Sequence, residues 1–351
     1  MKSGGVEAVF FEGAAYGVVV SSGGSLVFAN VASRAISAVY STVLSAGAIV
    51  DQANANASAY LDGAGDLVIS SGGAILDTIG LAAGHADFGF VTRVDAFGGT
   101  EFVVTSAQKN DFLGAGVSDF LIESTAGAVV TGEIGSSGAA GYTQVSVIGA
   151  EWRFDGSGDY VGDGKSQYLI EATNGAVDLG EVGSGGAATY TQVSAIGPEW
   201  SFVGSGDFLA LGKDQFLIES TGGAVDVGTV GSSGQASYQQ VGALGSEWSF
   251  KGAGDFYGDG KSQFLIESSS GAVDIGEIGV NPHALSQAVY TQVGALGSEW
   301  KFVGVGDYSG TGVSSFLIES SSGAVVTGTV VNGKAQYAQV GALGSEWTFR
   351  G

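Results

Sequence analysis

The chain has 351 residues, 63 of them glycine and 44% hydrophobic, with two prolines and no cysteine; this is the composition of short strands and tight turns, and it excludes disulfides and thiolate metal sites. Thirty-five acidic against 12 basic residues give a net charge of −23, which repels phosphate backbones and anionic lipid surfaces and argues against nucleic acid as a partner. No run approaches the roughly 20 apolar residues of a membrane span.

The opening stretch, MKSGGVEAVFFEGAAYG, has no apolar segment of the signal-peptide kind. A removed leader, another export route and an internal location all stay open. The first hundred residues are rich in Ala, Ser and Gly. VVVSSGGSLVF at Val18 and DLVISSGGAILDTIG at Asp66 read as hairpins, with Gly24 and Gly73 at the turns. Aligned with the repeats that follow, YSTVLSAGAIV at Tyr40 and VTRVDAFGGTEF at Val91 place Val50 and Phe102 where later copies carry Trp. Residues 1–105 thus read as two divergent blades.

Residues 106–351 hold five clear repeats of about 48 residues. One constant stretch is a hairpin, as in QFLIESTGGAVDVGTVG at Gln215, where alternating Phe216 and Ile218 lead to a turn at Gly223. The other is YQQVGALGSEWSFKGAGD at Tyr238. All five tryptophans, Trp152, Trp200, Trp248, Trp300 and Trp347, lie in copies of this second stretch, spaced 48, 48, 52 and 47 residues apart. Four short strands per period make one propeller blade. Seven hairpins at one period predict an all-β fold: a single seven-bladed β-propeller domain over 1–351, four antiparallel strands per blade. EWTFRG, which ends on Gly351, is expected to complete the first blade. EAVFFEG at Glu7 competes for that place, and a spare strand can add to the sheet edge of a neighbouring molecule.

At GDYVGDGKSQYLIEATNGAV (Gly158) and GDFYGDGKSQFLIESSSGAV (Gly254) the sequence resembles the FG-GAP/VCBS-type propeller repeats of secreted and surface bacterial proteins and of integrin α chains. The resemblance covers residues 105–351 well and the first hundred poorly. It implies an extracellular binding or structural module, often with calcium in the Asp-rich loop. Asp159 with Asp163, and Asp255 with Asp259, keep the first and fifth loop positions and are the calcium candidates. The third position has become Val161 or Tyr257 and the ninth Gln167 or Gln263, which leaves few oxygens for a cation that wants six to eight. The same aspartates suit turn capping on nearby backbone amides.

Glu123, Glu171, Glu219, Glu267 and Glu319 recur at one position, and a ring of carboxylates binds cations; a repeated solvent-facing position serves solubility equally well. The tryptophans read as core between blades, with sugar stacking the competing role. Residues that break the repeat suit ligand contact better, and these lie in two insertions: His85 and Asp87 in one, Asn281 and His283 in the other. There is no nucleophile elbow, phosphate loop, HExxH helix or dinucleotide fingerprint. The function expected is non-enzymatic: a secreted or cell-surface propeller that binds a glycan or protein, or builds an extracellular assembly as a homopolymer. A hydrolase or lyase acting on polysaccharide is the remaining alternative.

Overall fold

The computed structural model describes residues 6–349 apart from 10–13, 17, 21–24, 29–36, 45–48, 54–56, 62–65, 72–73, 82–87, 95–98, 107–109, 115–117, 136–137, 184, 210, 212, 259–260, 280–286, 310–312 and 345. Among these the only regular secondary structure is the β-strand, and no helix is long and apolar enough to cross a membrane.

The first eleven strands are β1 (Val6–Val9), β2 (Ala14–Tyr16), β3 (Val19–Val20), β4 (Ser25–Phe28), β5 (Ser37–Leu44), β6 (Ile49–Gln52), β7 (Ser58–Leu61), β8 (Leu67–Ser71), β9 (Ala74–Leu81), β10 (Phe88–Val94) and β11 (Thr100–Ser106). They form two mixed sheets, ordered β1-β4-β6-β11-β10 and β2-β5-β9-β8-β7, with β3 also on β5. Alternation sets their inner faces. Leu26 and Phe28 of β4, Val50 of β6 and Phe102 of β11 point inward from one sheet and meet Leu67, Ile69 and Ile79 from the other. Gln52 Nε2 donates to the buried Asp77 carboxylate across the same core.

The strand pairing here departs from the hairpins read in the sequence. The hairpin at Asp66 forms, as β8 and β9. The one at Val18 does not: β3 joins β5, while β4 lies parallel to both β1 and β6. Val50 and Phe102, expected at equivalent places in separate blades, are direct cross-strand partners. The physical reason is that period-two alternation says which face is buried and nothing about the direction of the neighbouring strand.

From residue 120 the pattern becomes a simple meander. Sheet I comprises β12 (Phe120–Glu123), β13 (Ala128–Ile134) and β14 (Ala140–Val147). Sheet II comprises β15 (Trp152–Gly158), β16 (Gln167–Ala172), β17 (Ala176–Val182) and β18 (Ala188–Ala195). Sheet III comprises β19 (Trp200–Gly206), β20 (Gln215–Ser220), β21 (Ala224–Val230) and β22 (Ala236–Ala243). Sheet IV comprises β23 (Trp248–Gly254), β24 (Gln263–Ser268), β25 (Ala272–Ile278) and β26 (Ala288–Ala295), and sheet V β27 (Trp300–Gly306), β28 (Ser315–Ser320), β29 (Ala324–Val331) and β30 (Lys334–Ala342).

All neighbours in these sheets are antiparallel, and the register repeats: in sheet III Trp200 faces Ser220 and Phe202 faces Ile218, with a bulge before Gly204. Gly223 makes the β20–β21 turn at φ +84°, and its carbonyl accepts from Leu244 N–H at 2.8 Å. A Cβ there would stand 1.9 Å from Leu244 O, so both the backbone angle and the space demand glycine.

Successive sheets stack through one recurring junction. The trailing face of sheet II, with Tyr160, Val177 and Val193, packs on Phe216, Ile218 and Val230 of the leading face of sheet III, together with Trp200 and Phe202. The same positions recur between I and II, III and IV, and IV and V. Trp152, Trp200, Trp248 and Trp300 all pack into these cores. A backbone link accompanies each junction: Ser166 N–H donates to Asp111 O, Asp214 N–H to Asp159 O, Ser262 N–H to Asp207 O and Ser314 N–H to Asp255 O, at 2.7–2.9 Å.

The described residues form no closed ring. Thr348 and Phe349, expected to complete the first blade, instead line a pocket beside Phe302 and Val303 of β27. They stand where a further sheet would place its Trp strand.

Candidate functional site

The Asp-rich loop between the first two strands of each repeat was the metal candidate, and sheet II has its fullest version. Asp159 Oδ1 accepts from the amides of Gly162 at 2.7 Å and Asp163 at 3.1 Å, and Oδ2 accepts from Gly164 at 2.8 Å. Gln167, wholly buried, braces the loop from the other side. Its Oε1 accepts from Tyr160 N–H at 2.8 Å, while Nε2 donates to Lys165 O at 2.8 Å and Asp163 Oδ1 at 3.1 Å. Lys165 Nζ then donates to Val182 O at 3.0 Å, tying the loop to β17. Burial pushes the Asp159 carboxyl up, and the three amides oppose that shift.

The lock recurs. Gln215 Oε1 accepts from Leu209 N–H and Gln263 Oε1 from Phe256 N–H, at 2.9 and 2.8 Å. Asp207 and Asp255 accept from Leu211 and Gly258 amides at 2.8 and 2.6 Å. In sheet I Asp119 replaces the glutamine, accepting from Leu113 N–H at 3.0 Å; burial raises its pKa, and nearby Asp111 and Glu133 add to the rise. The donor set of the Asp159–Asp163 loop is sparse for calcium. The Asp159 oxygens face the loop's own amides, Val161 stands at the third position and a hard cation wants six to eight oxygens. Among the described residues no group of three His, Asp or Glu side chains is placed to hold a metal. Asp259, His85, Asp87, Asn281 and His283 lie outside the described residues.

The recurring glutamates are the second candidate. In sheets II to V each lies directly across from a residue of the Trp strand: Arg153 with Glu171, Ser201 with Glu219, Ser249 with Glu267 and Lys301 with Glu319. Three of the four carry a cation. Arg153 donates to Glu171, Lys251 stands 3.1 Å from Glu267 and Lys301 2.7 Å from Glu319. Lys251 Nζ also lies 5.9 Å from the Phe302 ring centre, over its face, joining sheets IV and V. Glu219 lacks such a partner among the bonds described, and burial raises its pKa. Arg153 also approaches Asp155 at 3.4 Å. Asp155 is buried, and its carboxyl is pushed up to about 6 by desolvation, with Glu171 adding to the rise and Arg153 opposing it.

Lys251, Lys301, Phe302, Val303, Gly304, Thr348 and Phe349 line a pocket of about 370 Å³ at this row. Its cations are already engaged by Glu267 and Glu319. The ion pairs therefore tie each Trp strand to its neighbour within a sheet, and Lys251 also reaches the next sheet through Phe302. The glutamine lock was the element that sequence reasoning passed over; its signal was a Gln placed two residues after Lys165, Lys213 and Lys261 alike.

No protein-family model matches the chain, and no curated protein does. Among solved structures it is similar to a protein from Lactobacillus plantarum, at 8% identity and TM-score 0.39, over 80% of this chain and 83% of that one. It is also similar to AofleA from Arthrobotrys oligospora, at 8% identity and TM-score 0.38, over 74% and 87%, and to the β-propeller domain of Cps50 (Swd1) from Myceliophteria thermophila, at 9% identity and TM-score 0.38, over 81% and 82%. At these scores the likenesses carry no argument of their own.

Proposed function

We propose that sheets I to V are β-propeller blades of the FG-GAP/VCBS type, and that the chain is a non-enzymatic module of the cell surface or extracellular space that binds a glycan or protein. One observation carries this reading. The loop residues best placed for ligand or metal chemistry, Asp159, Asp163 and Gln167, are bonded into the turn itself, as are Asp207 with Gln215 and Asp255 with Gln263. A fold that devotes its most regular polar groups to its own loops leaves recognition to its variable surfaces. The Asp155 side chain, whose carboxyl desolvation pushes up to about 6, is buried beside Arg153 and poorly placed to meet a substrate.

The test is a glycan array and a panel of surface polysaccharides, assayed for binding and for cleavage together. Saturable binding without product is expected, and His85→Ala or His283→Ala should weaken it without moving the unfolding midpoint. Product formed by the native chain and lost in Asp155→Asn would overturn the reading. A second reading, the building of an extracellular assembly, is favoured by uncovered faces on sheets I and V.

A further inference from the structure

The junction between successive sheets occurs four times, and the chain exposes one further copy of each half. On the trailing face of sheet V, Tyr308 is 49% exposed, where Phe112, Tyr160, Phe208 and Phe256 at the same place are at most 2%. Val340 is 58% exposed, where Val145, Val193, Val241 and Val293 are at most 5%. On the leading face of sheet I, Ile122 is 46% exposed and Ile134 64%, while their counterparts in sheets II to V are at most 2% and 8%. Each face has the residues that its counterpart covers elsewhere in the molecule.

The strands show the same pair of gaps. Sheets II to V each begin with a Trp strand, and sheet I lacks one. Its sequence equivalent, β11 with Phe102, is held between β6 and β10. Consequently β12 pairs with β13 alone among the described strands. Residues 346–349, Glu-Trp-Thr-Phe, are a Trp motif belonging to no sheet. They make the usual entry turn, Trp347 N–H to Gly344 O at 3.1 Å, yet Trp347 is 64% exposed.

We infer that these halves join between copies of the chain. Residues 346–349 of one molecule add to β12 of the next and make its sheet I four-stranded, while the trailing face of sheet V covers Ile122 and Ile134. This rests on the assembly reading, not on ligand binding. The register follows from sheet III, where Trp200, Ser201 and Phe202 face Ser220, Glu219 and Ile218. Trp347, Thr348 and Phe349 accordingly face Ser124, Glu123 and Ile122 of the second copy. A second copy fits better than closure on the same chain because this structure leaves both halves uncovered together. The contact is heterologous, so copies stack head to tail. With a net charge of −23 on each, salt that shortens the Debye length promotes stacking.

The experiment uses the chain's lack of cysteine. Glu123→Cys and Thr348→Cys are introduced together and oxidised at low and raised salt. The products are run on non-reducing gels, with light scattering of the unmodified chain in parallel. A ladder of covalent dimers and larger species, increasing with salt, is expected, together with a scattering mass above the monomer. Ile134→Asp, at an exposed site that leaves the unfolding midpoint unchanged, should abolish the ladder. A disulfide-closed monomer would overturn the inference in favour of closure on the same chain. Association without the disulfide would overturn this interface and leave the assembly reading standing, whereas a monomer without any cross-link would remove both.

Discussion

Residues before 106 and residues from 110 onward are built from strands of the same alternating kind, but their cores are organised differently. In the first region one core of described residues, from Val18 to Phe102, is gathered across two mixed sheets. In the second, each of four cores is shared between a sheet and its successor. A core gathered within one region confines damage, whereas a shared one passes it to the next unit, as nearest-neighbour coupling in repeat proteins requires.

The strongest way to break this comparison is to remove one large ring from each region. Phe216 packs against Tyr160 of the preceding sheet and Phe202 and Tyr238 of its own, at 6.1, 5.3 and 5.8 Å between ring centres. Phe216→Ala should cost about 3–5 kcal/mol, and hydrogen exchange should rise in sheets II and III together. Phe28→Ala, from the other core, should raise exchange only before residue 106. Equal loosening of both regions by either variant would refute the division.

Gly223→Ala tests a single turn, and it should cost roughly 3 kcal/mol by denaturant unfolding, from the left-handed backbone and the clash with Leu244 O. Asp155→Val sharpens the comparison between sheets, since sheets III and V already have Val203 and Val303 there. The Asp155 pKa is raised in the folded state, so its contribution to stability is present in full below the ordinary 3.8 and is lost as pH rises through about 6. The valine variant should therefore be the more stable by about 2 kcal/mol at pH 7.5, with the advantage fading toward pH 4; thermal melts across that range read it directly. Lys301→Ala should change stability least, by under about 1 kcal/mol, because the lysine side chain is 61% exposed beside Glu319.

Much of the repeat was legible. Phe216 and Ile218 alternate toward the core, Gly223 turns the chain and four tryptophans fill the junctions, all of which depend on local pattern. The pairing of Val50 with Phe102 was not, because it joins strands about 50 residues apart and alternation is silent on direction. The loop chemistry was half legible. Asp159 and Asp163 stood out by spacing, but only the side-chain geometry of Gln167 shows that their oxygens are engaged from within.

The recurring junction also frees the array from any particular length. Trp200 through Glu247 are 48 residues and contain the whole of sheet III. Without them, the trailing face of sheet II would receive Phe264, Ile266 and Ile278 in place of Phe216, Ile218 and Val230, a single valine-to-isoleucine exchange, and Asp159 O would accept from Ser262 N–H in place of Asp214 N–H. Gene duplication or slippage in steps of one period can thus lengthen or shorten the molecule while each new neighbour finds a surface already shaped for it.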